Sequence, residues 1–207
     1  VVIMEGSGGN FCSGADMSML NKGWGAPQWF QVMNLFGRVI MTMRAIPQPI
    51  VIKLQGAAYG GGFNLALAGD FVVAVHSARL CQSFVNIGTA LDGGGTYFLP
   101  RLVGLCRARE LALLGNEIDG KRAASMGLIY RSVDDENLDG EVDALADVLS
   151  KKPLLPMALI KEGLERSLDM DLQSVLDWES SHQSILFQTS DHKAAVRNFL
   201  QNRGRKD

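Results

Sequence analysis

Apolar residues along this chain fall into a few short continuous runs, and between the runs they recur at helical spacing. Residues 1–4, V-V-I-M, make the first run and E-G-S-G-G-N closes it, so a buried strand followed by a turn is expected there. From 28 to 43, Trp29, Val32, Met33, Phe36, Val39, Ile40 and Met43 line one face of an amphipathic helix, which the prolines of I-P-Q-P-I end. Ile50–Leu54 is a short apolar strand interrupted by Lys53. It leads through Q-G-A-A-Y-G-G-G into a helix over 62–68, and Phe71–Val75 is a second unbroken apolar strand. Strands apolar on both faces that alternate with helices belong to a parallel-type α/β core, where helices cover both faces of the sheet.

Residues 108–114 and 121–126 read as further helices, with Gly115 and Gly127 standing where each stops. After Pro156 the pattern changes, and 157–168, 171–186 and 191–200 are all helical. The chain thus divides into an α/β core over 1–150 and an all-α segment over 151–207. It opens directly on a strand, so a preceding element is expected upstream.

Composition narrows the function classes. With 207 residues and 47% apolar content the chain can bury a substantial core. A formal net charge of −2, with scattered lysines and arginines, gives no basic stripe for nucleic acid. Cys12, Cys81 and Cys106 are odd in number and lack metal-ligand spacing, which suits free thiols in a reducing compartment: the cytoplasm, or in a eukaryote the mitochondrial matrix or peroxisome. No apolar run approaches the roughly 18 residues of a membrane span, so a soluble protein without membrane partners is expected. His76, His182 and His192 are too far apart in sequence to suggest a metal site.

The glycine-rich stretches raise the chemical question. After G-G-G at 60–62 stand Phe63 and Asn64, where a P-loop would place Lys and then Ser or Thr for phosphate and Mg²⁺. The earlier G-S-G-G-N-F does not fit the dinucleotide-binding G-x-G-x-x-G. Alone, G-G-G serves equally to let a helix pack closely on a strand. Asp92, ahead of Gly93–Gly95, alone reads as a turn or helix cap. Asp70 is expected to satisfy backbone donors. The methionines at 17, 19, 33, 41 and 43 are expected to be adaptable packing, and Trp24 and Trp29 either border a pocket or pack a helix.

Three motifs together carry a resemblance. F-C-S-G-A-D at 11–16, Q-G-A-A-Y-G-G-G-F-N-L-A-L-A-G-D at 55–70 and S-F-V-N-I-G-T-A-L-D-G-G-G-T at 83–96 resemble, in order and spacing, the core signatures of the crotonase (enoyl-CoA hydratase/isomerase) superfamily. The likeness continues through L-P-R-L-V-G and M-G-L-I to the C-terminal helices. It implies an α/β spiral of ββα units with an all-α C-terminal trimerisation segment, in a homotrimer or dimer of trimers. It also implies an acyl-CoA thioester as substrate, with coenzyme A carried by the substrate and no further cofactor. Basic contacts to the coenzyme A phosphates ordinarily come from a more N-terminal portion and are not assigned here.

The resemblance also distributes roles. The N–H groups of Ala15 and Gly61 would form an oxyanion hole for the thioester carbonyl, aided by the positive end of the helix that starts there. Hydratases of the superfamily carry glutamates at the positions of Asn64 and Phe84, and neither residue here can act as a general base. Isomerase branches, among them the ring-epoxyphenylacetyl-CoA isomerases, carry a carboxylate at the position of Asp92. Asp92 would then be a single acid/base, its pKa raised by an apolar pocket containing Phe84, Leu91 and Phe98. Ser13, Asp16, Met17, Tyr59, Gly60, Asn64, Phe84 and Leu91 are the implied substrate-binding residues. Asp16 reads equally as bracing its own loop, and the role of Asn64 is open. Three functions follow: an isomerase shifting a double bond or rearranging a ring-epoxide, a hydratase or related lyase using Asp92 and water, and a non-catalytic acyl-CoA-binding module.

Overall fold

The computed structural model describes residues 1–203, in two compact units, residues 1–150 and the segment from Lys151 onward. The first unit is built on four parallel strands in the order β1 (Val2–Glu5), β2 (Ile50–Leu54), β4 (Phe71–Val75) and β7 (Arg131–Val133). A smaller sheet holds β3 (Ala57–Tyr59), β5 (Arg79–Cys81) and β6 (Ile118–Asp119), β3 and β5 parallel and β5 and β6 antiparallel. Twice the chain runs from the main sheet to the smaller sheet and then into a helix: β2 and β3 precede α3 (Gly61–Leu67), and β4 and β5 precede α4 (Gly95–Leu114). This is the ββα repeat.

The central strands are apolar throughout because both their faces are covered. Val51, Ile52, Leu54, Val73 and Ala74 are wholly buried. Lys53 is tolerated in β2 because its Nζ lies 2.7 Å from Glu5 and 2.6 Å from Asp139, which push its pKa up to about 12. Asp139 sits in α6 (Leu138–Ser150), while α2 (Ala26–Ala45) crosses from β1 to β2 and buries Ile40 and Met43. The remaining helices of this unit are α1 (Met17–Leu20) and α5 (Gly120–Ser125). Asp70 accepts from the Ile50 N–H at 2.8 Å with Arg44 at 3.6 Å, the structural role expected of it.

Three expectations need correction. β1 is an edge strand, paired with β2 alone, and Val2 and Ile3 are exposed rather than buried. The helix expected over 108–114 is the end of α4, whose earlier turns contain Pro100 and a break at Gly104 (φ 72°) that interrupt the apolar period. Met17 and Met41 are not packing residues within this chain, being 63% and 68% exposed.

In the second unit, α7 (Leu154–Ser167), α8 (Leu172–Leu186) and α9 (Ser190–Arg203) follow one another. Asp171 caps α8 by accepting from the Ser174 N–H at 2.9 Å, and Gly163 admits the ring of Trp178 between α7 and α8. His182 stacks on Trp178 with ring centroids 4.0 Å apart.

The segment 11–16 is held against the β3–α3 turn by main-chain bonds, Cys12 N–H to Ala57 O at 3.0 Å and Tyr59 N–H to Cys12 O at 3.0 Å. A Cβ on Gly62 would lie 2.4 Å from the Cys12 carbonyl oxygen and 2.6 Å from its Sγ. Because backbone must yield there, Gly62→Ala is expected to destabilise the protein by about 1–3 kcal/mol, read as a lowered urea midpoint at unchanged slope.

Candidate active site

Two glycine triplets face each other across one buried amide. Gly60 (φ 52°, ψ −125°) turns the chain from β3 into α3, a conformation L side chains avoid. Gly14 (φ 92°) brings its own segment so close that a Cβ there would lie 2.9 Å from the Tyr59 carbonyl oxygen. Ala15, one residue on, is exposed. Among the described residues the N–H groups of Ala15 and Gly61 find no acceptor.

The second triplet lies between Asp92 and α4. Gly93 and Gly94 have φ values of 53° and 83°, and Gly95 opens the helix. The Asp92 carbonyl accepts from the Gly95 N–H at 2.9 Å and from Asn64 Nδ2 at 2.8 Å. A Cβ on Gly95 would stand 2.6 Å from Asn64 Nδ2, so the glycine makes room for the amide.

Asn64, on α3, is 0% exposed. A carbonyl oxygen only accepts, so Asn64 must turn Nδ2 to Asp92; its Oδ1 then accepts from Gln82 Nε2 at 2.8 Å. Gln82 is 1% exposed, and its Oε1 is buried without a partner among the described residues. Asn64 thus links the Asp92 carbonyl to the Gln82 side chain.

The Asp92 side chain points toward α3. Its Oδ1 is buried, has no hydrogen-bond partner among the described residues, and lies 3.1 Å from where a Cβ on Gly61 would be. The ring of Phe36, from α2, comes within 3.3 Å of the same point. Burial pushes the Asp92 carboxyl above its ordinary pKa, with no charged side chain among the causes. Phe84, in the 3-10 turn Ser83–Ile87, is buried, its ring 3.7 Å from the Cβ position of Gly60, and Ser83 Oγ is 3.3 Å from that position. Leu91 is half-buried against the core, and Phe98 packs under Gly94, behind the loop.

Other predicted residues have local partners or face solvent. The Asp16 carboxylate caps α1, accepting from the Ser18 N–H at 2.8 Å, and hydrogen bonds from the Ser18 side chain and then its N–H hold the pKa below the usual carboxylate value. The Tyr59 hydroxyl donates to Glu117, which raises the phenol pKa. Ser13 and Met17 are exposed. A cleft of about 520 Å³ lined by His76, Ser132, Asp134 and Glu141 holds none of the predicted residues. Phe36 and Gln82 were missed by sequence reasoning. Phe36 was visible only as one more apolar position of a helix, and Gln82 only as a polar residue ending an apolar strand.

An ionised carboxylate kept from water destabilises the fold, and the sign is fixed by the raised pKa. The native state holds its proton more tightly than the unfolded chain, so stability falls as pH rises through the native pKa. Asp92→Asn is therefore expected to match the parent midpoint at low pH and to exceed it above that pKa, as denaturant titrations at pH 4 and pH 8 would show.

A sequence model of the enoyl-CoA hydratase/isomerase family matches residues 1–206. The 1,2-epoxyphenylacetyl-CoA isomerase of Escherichia coli K12 is 33% identical over 205 residues, 98% of this chain and 78% of that protein. The crotonyl-CoA hydratase of Syntrophomonas wolfei is 30% identical over 204 residues, again 98% of this chain and 78% of that protein. The crystal structure of an enoyl-CoA hydratase from Polaromonas sp. JS666 superposes with a TM-score of 0.93 at 29% identity, covering 97% of this chain and 79% of that one. With the three motifs brought to one place on a fold shared with these proteins, the chain belongs to the enoyl-CoA hydratase/isomerase (crotonase) family.

Proposed function

We propose that the protein is an acyl-CoA isomerase that moves a double bond through a thioester enolate, with Asp92 as its only acid/base. The ionised Asp92 carboxylate takes a proton from C2 of a 3-enoyl thioester, and the electron pair flows toward the carbonyl oxygen. The N–H groups of Ala15 and Gly61 hold the resulting negative charge. The carboxylic acid, now formed, returns the proton at C4 as the double bond moves to C2–C3. No net proton is gained or lost.

One observation carries this reading. Oδ1 of the half-buried Asp92 carboxylate, beside Gly61, is out of water and has no hydrogen-bond partner among the described residues, whereas the second polar residue nearby, Asn64, is consumed in bonds to Asp92 and Gln82. A hydration mechanism needs two groups to hold and activate water, and Phe84 offers none. The isomerase named among the relatives fits the same chemistry, and rearrangement of a ring-epoxide thioester could draw on the same enolate-stabilising donors. The hydratase named there keeps hydration in play as the competing activity.

Kinetics with a 3-enoyl-CoA decide between them. Asp92→Asn is expected to lower kcat by about 10²–10⁴-fold, and unchanged turnover would sink the proposal. In the parent enzyme, kcat/KM is expected to fall as pH drops through the raised Asp92 pKa, placing the acid limb above the ordinary carboxylate range near about pH 4. Crotonyl-CoA hydrated faster than the 3-enoyl thioester is isomerised would instead favour the hydratase.

Self-association through α7–α9 belongs to the same proposal. Among the described residues from 151 to 201 none is buried, and Leu164, Leu172 and Phe199 are 67%, 73% and 62% exposed. Such apolar area favours association. Sedimentation equilibrium is expected to give a trimer or a multiple of three; a monomer at micromolar concentration would contradict it.

A further inference from the structure

Gln82 is an odd residue for its place. It sits between the small sheet and the 3-10 turn, almost wholly out of water, with one amide atom bonded and the other orphaned. A methionine of similar length would fill that volume but leave Asn64 Oδ1 without its donor in place of the unpaired Gln82 Oε1, so the exchange trades one unpaired buried acceptor for another and stability alone gives the amide little advantage. What the amide supplies is direction. The terminal torsion of an asparagine side chain is broad, and its two faces are nearly equivalent unless a neighbour tells them apart. Gln82 Nε2 can only donate, so it compels Asn64 to present Oδ1 on that side and Nδ2 to the Asp92 carbonyl.

The loop so held needs holding. Asp92 is followed by three glycines, two of them in the left-handed region, and such a sequence has more backbone freedom than any other. It has no side chains by which the rest of the protein could grip it. Its main chain is fixed at the Asp92 carbonyl, and its glycines are packed by the Phe36 ring over Gly93 and by the Asn64 amide against Gly95. Neither amide is open to a ligand entering from solvent.

We propose that Asn64 and Gln82 are positioning residues: the two-amide chain fixes the main chain at residue 92, which sets where the Asp92 carboxylate stands beside Gly61 and how far it is withdrawn from water. This rests on Asp92 being the base. Beside the carboxylate oxygen stands Gly61 of α3, with the Phe36 ring of α2 close to the same point, and neither is titratable. Its withdrawal from water therefore depends on geometry rather than on a neighbouring charge.

The test compares Gln82→Met, Asn64→Ala and Asp92→Asn in steady-state kinetics with a 3-enoyl-CoA across pH. Gln82→Met is expected to lower kcat on the order of 10–100-fold with KM within about twofold of the parent. Its acid limb should move down toward the ordinary carboxylate range as Asp92 relaxes toward water, while the thermal midpoint changes little, one unpaired buried acceptor having replaced another. Asn64→Ala should act in the same direction; if it does not fold, Gln82→Met carries the test. In an Asp92→Asn background, Gln82→Met should cost nothing further in kcat, since it acts only through that carboxylate. If Asp92→Asn is inactive but Gln82→Met keeps the parent kcat and acid limb, the positioning role is overturned and Asp92 keeps its own. If Asp92→Asn retains turnover, the base assignment fails and the positioning role fails with it.

Discussion

A single hydrogen bond, from the Asn64 amide to the carbonyl of Asp92, ties the start of one helix to the loop that opens the next. Both turns are made of glycine and so have no side chains of their own to lock them together. A turn of that kind can be held only through its main chain, and a carbonyl can be held only by a donor. A neutral amide is suited to this because it offers a donor to the loop and an acceptor to the residue behind it. A carboxylate at position 64 would present no donor to the loop carbonyl and would set a charge in a site with no exposure to water.

The same residue type leads different lives in this chain, and environment accounts for each. Asp16 and Asp171 cap helices, accept main-chain N–H bonds, and are held below the usual carboxylate pKa. Asp70 is paired with a strand N–H and an arginine. Asp92 leaves an oxygen buried and, among the described residues, unpartnered, and burial pushes its carboxyl upward. A group kept so against the preference of the fold is what acid–base chemistry asks for. Phe36 contributes by occupying the space from which water would otherwise solvate the carboxylate.

Much of this was legible in the sequence. Ile50–Leu54 and Phe71–Val75 announced doubly buried strands, and the helices after residue 153 follow their apolar period closely. The motifs pointed to Ala15, Gly61 and Asp92 by position. The edge location of β1 was not legible, because an apolar run looks the same with one neighbour or two. Nor was the first half of α4, where Pro100 and Gly104 mask a real helix. Gln82 and Phe36 escaped because their importance lies in contacts across 18 and 57 residues of chain, to Asn64 and Gly93, which no local pattern encodes.

The bridge at Asn64 also bears on error. The proposed charge-holding N–H of Gly61 and the proposed base at Asp92 belong to segments 31 residues apart, yet they are referred to one another through a side chain only three residues beyond Gly61. Displacements of the sheet or of the outer helices therefore carry both groups along together, as a rigid jig carries its two stops. Their mutual spacing is then set by geometry local to α3 and the turn after residue 92, not by the placement of more distant elements.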